Sequence, residues 1–183
     1  MEFSPDLGFP IPVDEATLRG GGIMRLHFRE YGRGAPLIVL HGLFGSLDNW
    51  ASVCKELSDA FHVFAVDQRN HGHSPHCAGM DYPLMAADLE EFLGQHAPGG
   101  AHVLGHSMGG KTAMQFALLH PVQTTSLVVV DMPPRACEPQ HHVVFEALQA
   151  LDLSEFQSRK QVEIALAPTI PESAIRKFLL KNL

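Results

Sequence analysis

Four short apolar runs constrain this chain more than any other feature. Pro36–Leu40, His62–Val66, Ala101–Leu104 and Ser126–Val130 are four or five residues long, and each stops at a glycine or a polar residue. Runs this short, without a polar residue at every second position, suit strands buried on both faces, as in a parallel sheet. Helical patterns lie between them. One runs through Trp50, Val53 and Leu57, with Asp48 as its expected cap; Leu84, Ala87, Leu89, Phe92 and Leu93 recur at helical spacing; and Met108–His120 is rich in Ala, Leu and Met and stopped by Pro121. A less regular early strand is expected over Met24–Glu30. Strands alternating with helices in this way predict an α/β fold, a mainly parallel sheet with helices on both faces. In such sheets chemistry gathers at the carboxyl ends of the strands.

Past Pro133-Pro134 the strand signal stops, and helices are expected near 140–151, 154–166 and 171–181. The organisation read from this is an irregular lead-in over 1–22, a core over 23–134 and a helical lid or cap over 135–183. Net charge is −7 and no Lys/Arg cluster exists, so a nucleic-acid partner is not expected. No apolar run approaches the ~20 residues of a membrane helix, and none is expected to meet a membrane. The first 17 residues carry four acids and no base, unlike a signal or transit peptide, so a cytoplasmic protein is expected. The three cysteines, an odd number without motif spacing, are expected to be reduced and buried.

The motif carrying chemistry is Gly105-His106-Ser107-Met108-Gly109, between an expected strand and an expected helix. That is the context of a nucleophile elbow, a sharp turn that holds a serine at a strand end beside a helix N-terminus. Small flanking residues let backbone and helix approach closely, and a developing oxyanion meets backbone N–H groups and the positive end of the helix dipole. His41-Gly42-Leu43-Phe44-Gly45-Ser46, at the end of an earlier strand, is the loop expected to supply a second oxyanion donor. By position the two donors are the backbone N–H groups of Leu43 and Met108. His71, His73 and His76 cluster locally but lack a helix-borne ligand spacing, so neither metal nor cofactor is expected. Lys111 fails the spacing of a phosphate loop and reads as solvated or loop-bracing.

Four blocks, HGLFGSLDNW (41–50), DQRNHGHS (67–74), GHSMGGKTAM (105–114) and VVVDM (128–132), together resemble the YbfF-type esterases of the α/β-hydrolase superfamily. The resemblance runs from about Leu37 to Leu183. It implies hydrolysis of small acyl esters under a helical lid, with Arg69 and Asn70 bracing neighbouring turns. It also implies that Asp131, at the end of the strand after the nucleophile helix, is the catalytic acid that orients a histidine; an aspartate there can otherwise cap a turn before Pro133.

The family's histidine follows its final strand. The only histidines after Asp131 here are His141 and His142, at the start of a helical segment, and neither matches that place. The expectation is therefore a serine hydrolase acting on small carboxylic esters or thioesters through an acyl-enzyme, with Ser107 as nucleophile and Asp131 as acid. These 183 residues alone would then be inactive, and the alternative is a non-catalytic truncated fragment or pseudo-enzyme. A partner strand beyond 126–130 is expected in this architecture, so that strand, left as an edge, is a candidate for self-association.

Overall fold

The computed structural model describes residues 24–135 and 141–183, which fall into two compact units divided between Ala136 and Cys137. The expected lead-in over 1–22 lies outside the described residues.

The first unit is built on one five-stranded sheet. Its strands are β1 (Phe28–Tyr31), β2 (Ala35–Leu40), β3 (Phe61–Val66), β4 (Ala101–His106) and β5 (Thr124–Val130), in spatial order β1-β3-β2-β4-β5. Only β1 runs antiparallel; β3, β2, β4 and β5 pair in parallel. The helices are α1 (Ala51–Leu57), α2 (Tyr82–His96) and α3 (Met108–Leu119).

The apolar runs lack alternation because both faces of the central strands are covered. Leu37, Val39, Val63 and Ala65 bury one face with Cys54 of α1, while Ile38, Leu40, Phe64, Val66, Ala101 and Val103 bury the other with Leu89, Phe92, Leu93 and Phe116 of α2 and α3. Each such side chain contributes roughly 1.5–3 kcal/mol. β5 differs. It pairs with β4 alone among the described residues, and its Leu127 and Val128 remain 38% and 45% exposed.

Register aligns the strand ends. Leu40 stands opposite Val66 and Gly105, and His106 opposite Val130, so His41, Asp67, Ser107 and Asp131 all follow at one rim of the sheet. The chain passes from β2 to β3 on one side and returns to β4 on the other. The order of strands thus reverses between β2 and β4, where parallel sheets open a crevice for ligands.

Several boundaries moved, each for a local reason. β1 starts at Phe28 because the His27 N–H turns aside to Ser74 Oγ at 2.8 Å. The segment after β2 opens with a 3-10 turn, Leu47–Trp50, where Asn49 Oδ1 accepts the Ser46 N–H at 2.7 Å; Asp48, the expected cap, instead pairs with Arg29 at 2.8 Å. α2 begins earlier than its apolar pattern because Asp81 accepts the Leu84 N–H at 2.8 Å and a proline follows in the first turn.

The second unit contains α4 (His142–Gln149), α5 (Arg159–Leu166) and α6 (Ser173–Leu179), and no strand among its described residues. These helices are shorter than expected. Asp152 caps a separate turn at Leu153–Glu155, and Ser158 then caps α5. Val162, Leu166, Ile170, Leu179 and Leu180 are the buried side chains among its described residues. Arg176 donates to the carbonyls of Ile170 and Pro171, both at 2.7 Å.

Candidate active site

Ser107 links β4 directly to α3 with φ 52° and ψ −115°, a backbone conformation that non-glycine residues rarely adopt. Its neighbours fix it there. The Ser107 N–H donates to the Val130 carbonyl at 3.0 Å, and its carbonyl accepts the Lys111 N–H at 3.1 Å. The flanking glycines are steric necessities. A Cβ on Gly105 would lie 2.1 Å from the Gly109 carbonyl oxygen, and one on Gly109 would lie 2.5 and 2.6 Å from the carbonyl oxygens of Leu40 and His41. Met108 is the first residue of α3, so its N–H has no partner within the helix.

The loop after β2 sits against this elbow. A Cβ on Gly42 would come within 3.3 Å of Ser107 Cβ and 2.9 Å of His106 Nδ1. Leu43 follows inside a turn closed by the Gly45 N–H donating to the Gly42 carbonyl at 3.0 Å. Two buried histidines hold this loop in shape. His41 Nδ1 donates to the Gly42 carbonyl at 2.8 Å while its Nε2 accepts the Gln68 N–H at 3.1 Å. His71 Nδ1 donates to the Arg69 carbonyl at 2.9 Å, and its Nε2 accepts the N–H of Phe44, itself at φ 60°. Both rings are therefore neutral, with each nitrogen committed to backbone. Burial drives the His41 imidazole down to about 4 and lowers His71 as well. Of the clustered His71, His73 and His76, His71 is the one whose side chain braces this loop.

Asp131 lies one residue beyond β5, whose last residue Val130 pairs with His106 at the end of β4, and it is exposed to solvent at φ 53°. The Ser107–Val130 hydrogen bond thus brings the candidate nucleophile and the candidate acid onto adjoining strand ends. Leu43, Met108, Ser107 and Asp131 share the rim on either side of β4.

The loop over 67–74 is built around Asp67. Its buried carboxylate accepts the N–H groups of Leu47 (2.7 Å) and His73 (3.0 Å) and pairs with His27 Nδ1 at 3.0 Å. A Cβ on Gly72 would stand 2.2 Å from that carboxylate. Arg69 reaches inward, its Nε and Nη2 donating to the two Asp88 oxygens at 2.5 and 2.6 Å, and Nη1 to the Gly79 carbonyl at 3.0 Å. Burial pushes the Asp88 carboxyl up while these hydrogen bonds pull it back, and the same bonds hold the Arg69 guanidinium above its ordinary range. Asn70, at φ 62°, accepts the Cys77 N–H at 2.7 Å. The expectation that Arg69 and Asn70 brace turns matches this geometry. Asp88 went unremarked in the sequence, although an acid between Leu84 and Phe92 at four-residue spacing was the signal for a buried ion pair.

Two further expectations resolve here. Lys111 is buried and donates from Nζ to the Arg135 carbonyl, so it braces a loop and is not solvated. Cys54 is buried, its thiol pushed by burial up to about 11, but Cys77 is exposed, its Sγ 3.3 Å from the Gly79 carbonyl. Both are free, and Cys137 lies outside the described residues. No helix among the described residues is long and apolar enough to cross a membrane.

Residues 35–168 match the family model for the alpha/beta hydrolase fold. The chain belongs to this family. It is 39% identical over 164 residues to the sn-1-specific diacylglycerol lipase ABHD11 of Danio rerio, covering 85% of this chain and 52% of that one. It is 36% identical over 149 residues to Esterase YbfF of Escherichia coli (strain K12), covering 81% and 59%. Among solved structures, a marine microorganism esterase superposes with TM-score 0.84 at 44% identity, covering 87% of this chain and 64% of that one. The chain thus spans about half the length of the curated relatives it matches.

Proposed function

We propose that these residues carry the nucleophile, the oxyanion donors and the acid of a serine hydrolase that cleaves small carboxylic esters or thioesters. The observation that carries the reading is Ser107 at φ 52° on the strand-to-helix turn, fixed through the Val130 carbonyl and packed against Gly42. Ser107 Oγ attacks the acyl carbon, and the alcohol or thiol leaves to give an acyl-enzyme that water then hydrolyses. The Leu43 and Met108 N–H groups take the oxyanion, helped by the positive end of α3. Asp131 orients the histidine that accepts the serine proton. The names of the esterase and lipase relatives support ester substrates. Two free thiols support a reducing compartment, and the cytoplasm is the compartment this reading carries.

In full-length protein a fluorophosphonate probe should label Ser107, and Ser107→Ala should abolish both labelling and p-nitrophenyl acetate turnover. Asp131→Asn should lower turnover by roughly 10⁴ with the fold intact. The reading extends to the 183 residues alone. None of their histidines holds the position that the resemblance gives the base, so turnover should fall to near background, a loss of roughly 10⁴–10⁶. Robust turnover by the 183-residue chain, abolished by Ser107→Ala, would require a base within it. Labelling at another residue would overturn the assignment of Ser107.

A further inference from the structure

Lys111 is a residue that the proposed chemistry does not use. It sits in the first turn of α3, four residues after Ser107, and its side chain is buried. A buried ammonium is costly unless its donors are satisfied, so a lysine at this depth is held by a specific partner. One such partner is the carbonyl of Arg135, 24 residues along the chain. The segment it reaches is the one that leaves β5 through Asp131. The same first turn of α3 also meets that segment sterically, since a Cβ on Gly110 would stand 3.1 Å from Val129 Cγ1 and 3.3 Å from Met132 Cβ.

The segment 129–135 is therefore gripped at three points by the elbow and the helix that follows it. Ser107 N–H holds Val130, Gly110 admits Val129 and Met132, and Lys111 holds Arg135. Asp131 lies between the first and last grips. It is exposed, at φ 53°, so little besides its backbone neighbours sets its direction. We infer that Lys111 is a positioning residue: by anchoring the turn after β5 to the nucleophile helix, it fixes the bearing of the Asp131 carboxylate relative to Ser107. The inference rests on the reading of Ser107 and Asp131 given above. A misplacement of about 1 Å in a catalytic constellation costs on the order of 10²-fold in rate.

The test is a double-mutant cycle in full-length protein, with p-nitrophenyl butyrate as substrate and thermal melting in parallel. Lys111→Met keeps the aliphatic stem and removes the donor. It should lower kcat by about 10–100-fold with KM within about twofold, and Lys111→Arg should recover most of the loss. In the Asp131→Asn background, Lys111→Met should cost nothing further, because its effect passes through Asp131. Equal losses in both backgrounds would overturn the inference and leave the roles of Ser107 and Asp131 standing. Full activity in Asp131→Asn would instead overturn the reading of the acid, and the inference with it. If Lys111→Met does not fold, the cycle is run with Lys111→Gln, which keeps a donor on a shorter stem. Failure of both variants to fold would overturn the inference by making Lys111 a residue of stability alone.

Discussion

Gly94 and Gly109 both lie in helices, and replacing each by alanine should move stability in opposite directions. Gly94 is exposed in the last turn of α2, and a Cβ there meets nothing within 4 Å. The gain is then the helix-propensity difference, about 0.5–1 kcal/mol. Gly109, in the first turn of α3, has backbone on its open side: a Cβ would lie 2.5 Å from the Leu40 carbonyl oxygen, 2.6 Å from that of His41 and 2.8 Å from the Leu40 carbonyl carbon. Ordinary carbon–oxygen approaches are about 3.3–3.6 Å, so the helix must retreat by roughly 0.7–1 Å. None of the opposing atoms is the end of a flexible side chain that could swing away. They belong to a central strand and to the loop beside Ser107. Overpacking of this kind costs about 1–3 kcal/mol, here at the upper end and only partly offset by propensity. The two variants should therefore differ by roughly 3 kcal/mol. Guanidinium unfolding measures this as midpoints on either side of the parent with unchanged slope. Gly109→Ala as stable as the parent would refute the reasoning, since it would mean that α3 has slack against β2.

Three further outcomes follow from the same geometry. His41 takes a proton near 4 when folded and near 6.5 when unfolded, so the unfolded chain binds more protons between those values. Its contribution, roughly 3 kcal/mol, is present above about pH 6.5 and lost as pH falls towards 4, and urea unfolding across that range should flatten in His41→Gln. Removing one partner of the buried Arg69–Asp88 pair, as in Arg69→Met, should cost about 3–5 kcal/mol, whereas Arg69→Met with Asp88→Leu should recover much of it in the same assay. For the strand at the sheet edge, sedimentation of the 183-residue chain should reveal association that Val128→Lys suppresses; unchanged association in that variant would move the contact away from β5.

The sheet was legible because its chemistry is simple. Strands such as Ile38-Val39-Leu40 are apolar on both faces, and the elbow motif needs glycines that no other residue replaces. Ser107, Leu43 and Met108 could be placed by chain position alone, since strand ends in a parallel sheet are brought to one rim. What escaped were polar residues whose partners are distant in sequence. Nothing local marks His71 as the acceptor for Phe44, Asp67 as a partner of Leu47, or Lys111 as a donor to Arg135. Each depends on which loops the rim places side by side. Helix starts shifted for the complementary reason, because Asp81 and Ser158 supply caps outside the apolar periodicity.

Phe44, Asn70, Ser107 and Asp131 are the non-glycine residues at positive φ among those described, and they follow β2, β3, β4 and β5 in turn. Each such conformation costs roughly 1–3 kcal/mol, and of the four only Asn70 and Asp131 have side chains suited to it. The tension is thus confined to one margin of the sheet, the margin where the proposed chemistry happens, while the opposite margin is relaxed. Selection for endurance alone would wear that margin down first. Glycine at 44, 107 or 131 relieves the backbone at once, so a screen for heat resistance that ignores turnover would drift towards a sturdier protein with a blunted nucleophile.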